Sequence, residues 1–229
     1  MSPKIAALIL ACALSGTAQA ADRDHPAVVE LFQSQGCSSC PPANANLMAL
    51  ADRPDLLTLS FGVTYWDDLG WKDTFASPRF TARQWDYAHG LHHDNVFTPQ
   101  VVVNGLADGV GVRPGEIEAL VARADRRASG PAITAQGGKV LVGAAKTLRA
   151  AQVLLVRYDP NIVQVPIRRG ENGGKTLPHR NVVKELVSLG AWTGEAHAYI
   201  LPAAGAPGLK TAILIQAGPG GPILGAARL

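Results

Sequence analysis

Along the first half of the chain, short continuous apolar runs alternate with longer mixed stretches. Val28-Val29-Glu30-Leu31-Phe32 reads as a strand, and Gln33-Ser34-Gln35-Gly36 reads as a turn. Pro41 and Pro42 fit the first turn of a helix, where their missing amide hydrogens cost nothing, and Ala43 to Ala51 supplies helix formers. Leu56 to Phe61 then reads as a buried strand. Gly62 to Ser77 is a crossover rich in aromatic residues and glycine, and Pro78 can begin a helix reaching Ala88. Trp66, Trp71, Phe75, Phe80 and Trp85 are expected to pack this crossover over the sheet or to offer a substrate surface. Val101-Val102-Val103 predicts another strand, Asn104-Gly105 a turn, and Val110 to Val112 an edge segment. Pro114 to about Arg127 predicts a helix with Ile117, Leu120 and Val121 facing inward. Nearly continuous apolar strands with helices between them point to an α/β region with a parallel sheet.

Ser129-Gly130-Pro131 is small and turn-forming, and the pattern changes after it. Lys139 to Ala144, Gln152 to Tyr158, Ile162 to Ile167, Glu195 to Leu201 and Lys210 to Gln216 are short strand candidates separated by Gly, Pro, Asp and Asn, with one helix expected near Val182 to Leu189. The expected organisation is an α/β region at residues 24–128 followed by a β-rich accessory domain at 129–229.

Residues Met1 to Ala20 carry a cationic start at Lys4, an apolar stretch from Ile5 to Leu14, and the small-x-small ending Ala18-Gln19-Ala20. This predicts a signal peptide over 1–20, cleaved before Ala21, and an exported chain in the periplasm or secreted medium. Cys12 offers the alternative of a lipid anchor, with only a short apolar stretch before it. No later segment has about twenty uninterrupted apolar residues, so membrane insertion is not expected. Of 229 residues, 47% are hydrophobic and 17% charged, which excludes a mainly disordered chain. The formal charge of +3, without a Lys/Arg stripe, argues against a nucleic-acid partner.

Removing the leader takes Cys12 away and leaves Cys37 and Cys40. A bridge between them closes too short a loop to remove much entropy from the unfolded chain, so structural stapling explains it poorly. Two intervening residues instead put the pair at the start of a helix, where orphan amides favour negative charge on Cys37. Cys37 is expected to be the exposed nucleophile and Cys40 the more buried resolving thiol. Thr98-Pro99 immediately before a strand is the second signal: a cis bond there would place both residues against the sulfurs and align an extended substrate. An ordinary turn is the alternative.

These features resemble the thioredoxin superfamily, in which the first cysteine attacks disulfides and a cis-proline loop faces it. More narrowly, Val29 to Pro42, Tyr65 to Asp73, Phe80 to Gln84 and Phe97 to Gln100 are similar to the DUF1223 family of exported proteins, as are Gly170 to Gly174 and Asn181 to Val183. The resemblance implies a thioredoxin-like domain at 24–128 with a crossover insertion. The family commonly has a His and an Asp before its Tyr-Trp pair, where this chain has Gly62 and Thr64; thiol chemistry survives that departure better than metal chemistry.

The expected function is a thiol-disulfide oxidoreductase acting on a protein or peptide disulfide, with Cys37 and Cys40 catalytic, Thr98 and Pro99 positioning the substrate, an unidentified redox partner, and no cofactor or metal. A noncatalytic binding or assembly protein is the alternative, with metal handling behind it. His89, His92 and His93 straddle a helix end with no nearby cysteine and no specified chelating geometry, and read as surface or loop residues with a metal site as the alternative. Arg168 to Gly174 lacks the spacing of a phosphate-binding loop; it reads as a structural turn packed against the redox domain or as a substrate contact. His179 and His197 have no paired nucleophile and receive no catalytic role. Oligomeric state and direction of exchange are not legible.

Overall fold

The computed structural model describes residues 21–126, 130–147 and 150–229. The expected leader, its cleavage point and Ser129 of the expected boundary lie outside or at the margin of these residues. The chain runs through Ala27–Gln33 (β1), Cys40–Ala49 (α1) and Leu56–Gly62 (β2), crosses to Pro78–Gly90 (α2), and continues through Gln100–Val103 (β3), Ala107–Gly109 (β4) and Glu116–Arg123 (α3). There follow Ile133–Gln136 (β5), Lys139–Val142 (β6), Ala151–Asp159 (β7), Val163–Pro166 (β8), Thr176–His179 (β9), Val182–Trp192 (β10), His197–Ile200 (β11), Lys210–Gln216 (β12) and Ile223–Arg228 (β13).

β1 and β2 are buried at every position because both faces of their sheet are covered. The two-residue period divides β1 between two cores. Ala27, Val29 and Leu31 pack with Ala43 and Leu47 of α1 and Ile117 and Leu120 of α3. Val28 and Phe32 face the other way, toward Phe61, Phe80 and Tyr87. Phe61 stacks on Phe32 at 5.2 Å and meets Phe80 edge-on at 5.2 Å, each contact adding about 0.5–1.5 kcal/mol beyond area burial.

Eight strands form one sheet in the order β13-β12-β7-β10-β2-β1-β3-β4. β1 and β2 are parallel, but β3 is antiparallel to β1, and β10 meets β2 in parallel only at Val182↔Ser60. The expected parallel sheet is thus limited to its centre. The sheet crosses the expected division at 128/129: Leu57 and Leu59 share an apolar layer with Val156, Val183 and Leu214. On the opposite face of the C-terminal strands, the sheet β11-β6-β5 covers Val153, Leu155, Ile213 and Ile215.

The helix expected near 182–189 is strand β10, paired antiparallel with β7 along its length. Its ladder shifts register between Val183 and Glu185 and again between Ser188 and Gly190. Each irregularity resets the in-out alternation, so Val182, Val183, Leu186 and Val187 mimic a helical spacing. The edge segment expected at 110–112 is instead β4 at Ala107–Gly109, and the helix expected from Pro114 is the shorter α3.

A buried polar group joins the two halves. Arg83 of α2 donates to both Glu30 carboxylate oxygens at 2.8 and 3.0 Å and to Gln216 Oε1 of β12 at 2.9 Å. The Tyr87 hydroxyl donates to Glu30 as well.

Candidate functional site around Cys37 and Cys40

β1 ends in a turn that its own side chains close. The Ser34 hydroxyl accepts from the Gly36 amide at 3.0 Å, and the Ser34 carbonyl from the Cys37 amide at 3.1 Å. Cys37 and Cys40 are joined as a disulfide with Cα atoms 5.4 Å apart. α1 begins at Cys40 with prolines in its first turn, as expected, so Cys37 lies in the preceding loop rather than on the helix. The expected contrast in exposure is absent: Cys37 is 0% and Cys40 1% exposed. Contacts from distant parts of the chain produce this cover.

The Thr98–Pro99 bond is cis, as the sequence suggested, and it leads into β3. Its Thr98 carbonyl accepts from Ser39, between the two cysteines, at 3.4 Å, and Ser39 Oγ is 3.3 Å from Cys37 Sγ. The oxidised sulfur carries no proton and the one Ser39 hydroxyl proton serves the Thr98 carbonyl, so the sulfur contact is held without a donor of its own. The Trp66 indole donates to Thr98 Oγ1 at 2.8 Å, which fixes the cis-proline loop to the crossover. The structure therefore brings Cys37, Cys40 and Thr98 together, with Pro99 following directly.

The aromatic crossover divides its labour. Phe80 is core and Trp85 lies beside His89. Trp71 donates to Gln35 Oε1 at 2.9 Å, while buried Asp73 accepts from the Gln35 amide at 2.8 Å and from the Phe75 amide at 2.7 Å. Burial pushes the Asp73 carboxyl above its ordinary value, against the pull of those amides. The crossover can approach because Gly62 has no side chain: a Cβ there would sit 2.8 Å from the Ala76 nitrogen and the Phe75 carbonyl carbon.

From the C-terminal half, residues 170–174 form a strap across the loop. Asn172, fully buried, donates from Nδ2 to the Cys37 carbonyl at 2.8 Å and to the Gln35 carbonyl at 3.0 Å. Glu171 Oε2 accepts from the Ser38 amide at 2.9 Å, and this bond holds the exposed carboxyl below its ordinary value. Lys175 Nζ donates to Asn172 Oδ1 at 3.0 Å. The glycine-rich turn is thus packed against the cysteine loop. Its partners lie more than 130 residues away in sequence, a relationship no local pattern carries. Asp73 and Gln35 were likewise visible only as parts of longer motifs.

A cavity of about 390 Å³ opens beside Cys40, between α1 and the end of β9, and Met48, Leu177, Pro178 and His179 are among its walls. Asn44 bridges it, donating to the Pro178 carbonyl at 2.6 Å and accepting from Gln33 at 3.0 Å. His179 is 3% exposed, its Nε2 has no partner among the described residues, and burial pushes its pKa down to about 4. The other histidines are dispersed: His93 meets Asp108 at 2.9 Å, and His89 lies by Trp85. Among the described residues no group of three or more His, Cys, Asp or Glu could hold a metal.

The family described as "Protein of unknown function (DUF1223)" matches residues 28–216. A crystal structure of a protein from Agrobacterium tumefaciens is similar over 93% of this chain and 96% of its own, with a TM-score of 0.73 and 28% identity. HBP35 of Porphyromonas gingivalis matches 90% of this chain and 75% of its own, with a TM-score of 0.58; at 10% identity it shows fold similarity alone. No curated protein matches.

Proposed function

The chain belongs to the DUF1223 family of proteins of unknown function, and we propose that it is a thiol-disulfide oxidoreductase of thioredoxin-like design acting on a protein or peptide disulfide. The observation that carries this reading is the Cys37–Cys40 pair at a strand-to-helix turn with the cis Thr98–Pro99 loop joined to Ser39 between them. In the reduced protein the Cys37 thiolate attacks one sulfur of the substrate disulfide. A Cys37–substrate disulfide forms, and the first substrate thiolate leaves and takes up a proton. Cys40 loses its proton and attacks Cys37 Sγ, which forms the internal disulfide and expels the second substrate thiolate. Two electrons pass to the substrate, and a dithiol reductant must return them. Thr98 and Pro99 position the extended substrate. The Ser39 hydroxyl is placed to turn its proton toward the thiolate once the disulfide opens. We place the work in an exported compartment, periplasmic or secreted, on the strength of the leader-like N-terminus; N-terminal sequencing of the exported chain checks that. No helix among the described residues is long and apolar enough to cross a membrane.

The burial of both cysteines favours a second reading, a binding or assembly protein in which the disulfide is inert. Purified wild type, Cys37→Ser and Cys40→Ser, incubated with a disulfide-bonded peptide and dithiothreitol, separate the two. The first reading expects turnover by wild type, none by Cys37→Ser, and accumulated mixed disulfides with Cys40→Ser. Equal exchange by wild type and Cys37→Ser would refute the assignment. Uniformly inert thiols in folded protein would establish the second reading.

A further inference from the structure

The strap brings opposite charges close to Cys37. Glu171 sits on the Ser38 amide, and that nitrogen is bonded to the Cys37 carbonyl carbon. Covalent geometry therefore keeps the accepting carboxylate oxygen within about 8 Å of Cys37 Sγ. Lys175, itself exposed, donates to the Asn172 side chain, whose amide in turn donates to the Cys37 carbonyl. The other ionisable groups around the site are arranged differently. Asp73 is buried on the Gln35 amide with Asp67 beside it, and Lys184 lies near Asp73. Partial burial raises the Tyr65 phenol, by the Thr98 loop, above its ordinary value, and burial lowers His179 beyond Cys40, so both are neutral near pH 7. Arg168 and Arg169 precede the strap and are exposed.

Amides ahead of a helix ordinarily stabilise a thiolate at its N-terminal cysteine. Here one of them already serves a carboxylate, and that carboxylate repels a second negative charge nearby. We propose that Glu171 and Lys175 are opposed positioning residues that set the acidity of Cys37: Glu171 holds the thiol protonated, and Lys175 favours the thiolate. The proposal rests on the reading of Cys37 as the attacking thiol and deepens it. A less acidic thiol leaves the reduced state less stabilised, so Glu171 tunes the pair toward giving electrons to substrate disulfides.

The test uses the full chain carrying Cys12→Ser, with Cys40→Ser added so that Cys37 alone reports, and follows the rate of iodoacetamide alkylation against pH. Glu171→Gln keeps the acceptor for Ser38 and removes the charge. It should move the profile to lower pH, raising the ionisation constant about three- to tenfold, as expected of a unit charge within about 8 Å and largely screened by solvent. Lys175→Gln should move the profile to higher pH, while Glu171→Asp and Lys175→Arg should stay near wild type. In the two-cysteine protein, Glu171→Gln should shift the equilibrium with glutathione toward the dithiol. A strap that merely covers the loop would give both neutral variants the same direction of change. That result, or unmoved profiles, overturns the proposal; circular dichroism confirms that each variant is folded, and Glu171→Ser gives an independent removal of the charge. Alkylation needs no substrate, so failure of peptide exchange with a moving profile would refute the proposed function and leave the strap's role standing.

Discussion

Asn172→Ala isolates what the strap contributes to folding. The native side chain is fully buried and its amide serves two carbonyls, those of Gln35 and Cys37. The Cys37 carbonyl also accepts from the Cys40 amide at 3.2 Å and would keep that partner. Its loss should cost near the lower end of the range for a buried polar group left short of a hydrogen bond, about 1 kcal/mol, and the Gln35 carbonyl should cost about 2 kcal/mol. Lys175 loses its acceptor too, but it is exposed and water replaces the bond. The expected loss is therefore about 3 kcal/mol, or a fall in melting temperature of roughly 6–12 °C for a chain of this size. Urea unfolding of the oxidised protein, with the slope compared to wild type, measures it. Asn172→Asp keeps the shape but cannot donate, and should cost at least as much. A change below about 0.5 kcal/mol for both variants, with the slope unchanged, would refute the claim that this contact holds the cysteine loop.

Two further perturbations follow from buried charge. Arg83→Met should cost about 3–5 kcal/mol because it leaves the Glu30 carboxylate buried without its cation, whereas adding Glu30→Leu should restore much of the loss; urea melts of the single and double variants decide. His179 has a folded-state pKa of about 4 against about 6.5 when unfolded. The unfolded state therefore binds the extra proton between those values, and stability that is full above pH 6.5 should decline by about 3 kcal/mol as pH falls to 4. His179→Gln should remove that component of the slope. An unchanged slope would show that His179 is not held neutral.

What the sequence made legible was local. Pro41 and Pro42 opened a helix, Val28 to Phe32 and Leu56 to Phe61 were strands, and Thr98-Pro99 entered a strand through a cis bond. β10 was misread because its ladder irregularities displaced the alternation on which strand recognition depends. β5, β9 and β13 escaped notice: β5 is largely exposed, β9 contains a proline, and Gly225 interrupts the apolar pattern of β13. The cover over Cys37 was beyond reach for another reason. Helix position and spacing fix where a cysteine stands, but its exposure is decided by residues such as Asn172, which reach it only once the whole chain has folded.

That dependence connects the fold to the site. β10 enters the sheet beside β2 through the Asn181 carbonyl, which accepts from the Ser60 amide at 2.9 Å, while the Asn181 side chain donates to Thr58 at 2.7 Å. One residue along the ladder from the cysteine turn, Gln33 bonds the Ser60 hydroxyl and Asn44 of α1, and Asn44 in turn holds the Pro178 carbonyl of β9. The C-terminal strands thus enter at the centre of the sheet, and the connection that leads into them delivers residues 170–179 to the start of α1. Detaching residues 129–229 would uncover Leu57, Leu59 and Phe61 along one apolar layer and would release the Cys37 carbonyl and Ser38 amide together. The β-rich region is therefore part of the cysteine site, and any substrate that reaches Cys37 must come to terms with a surface built from both halves of the chain.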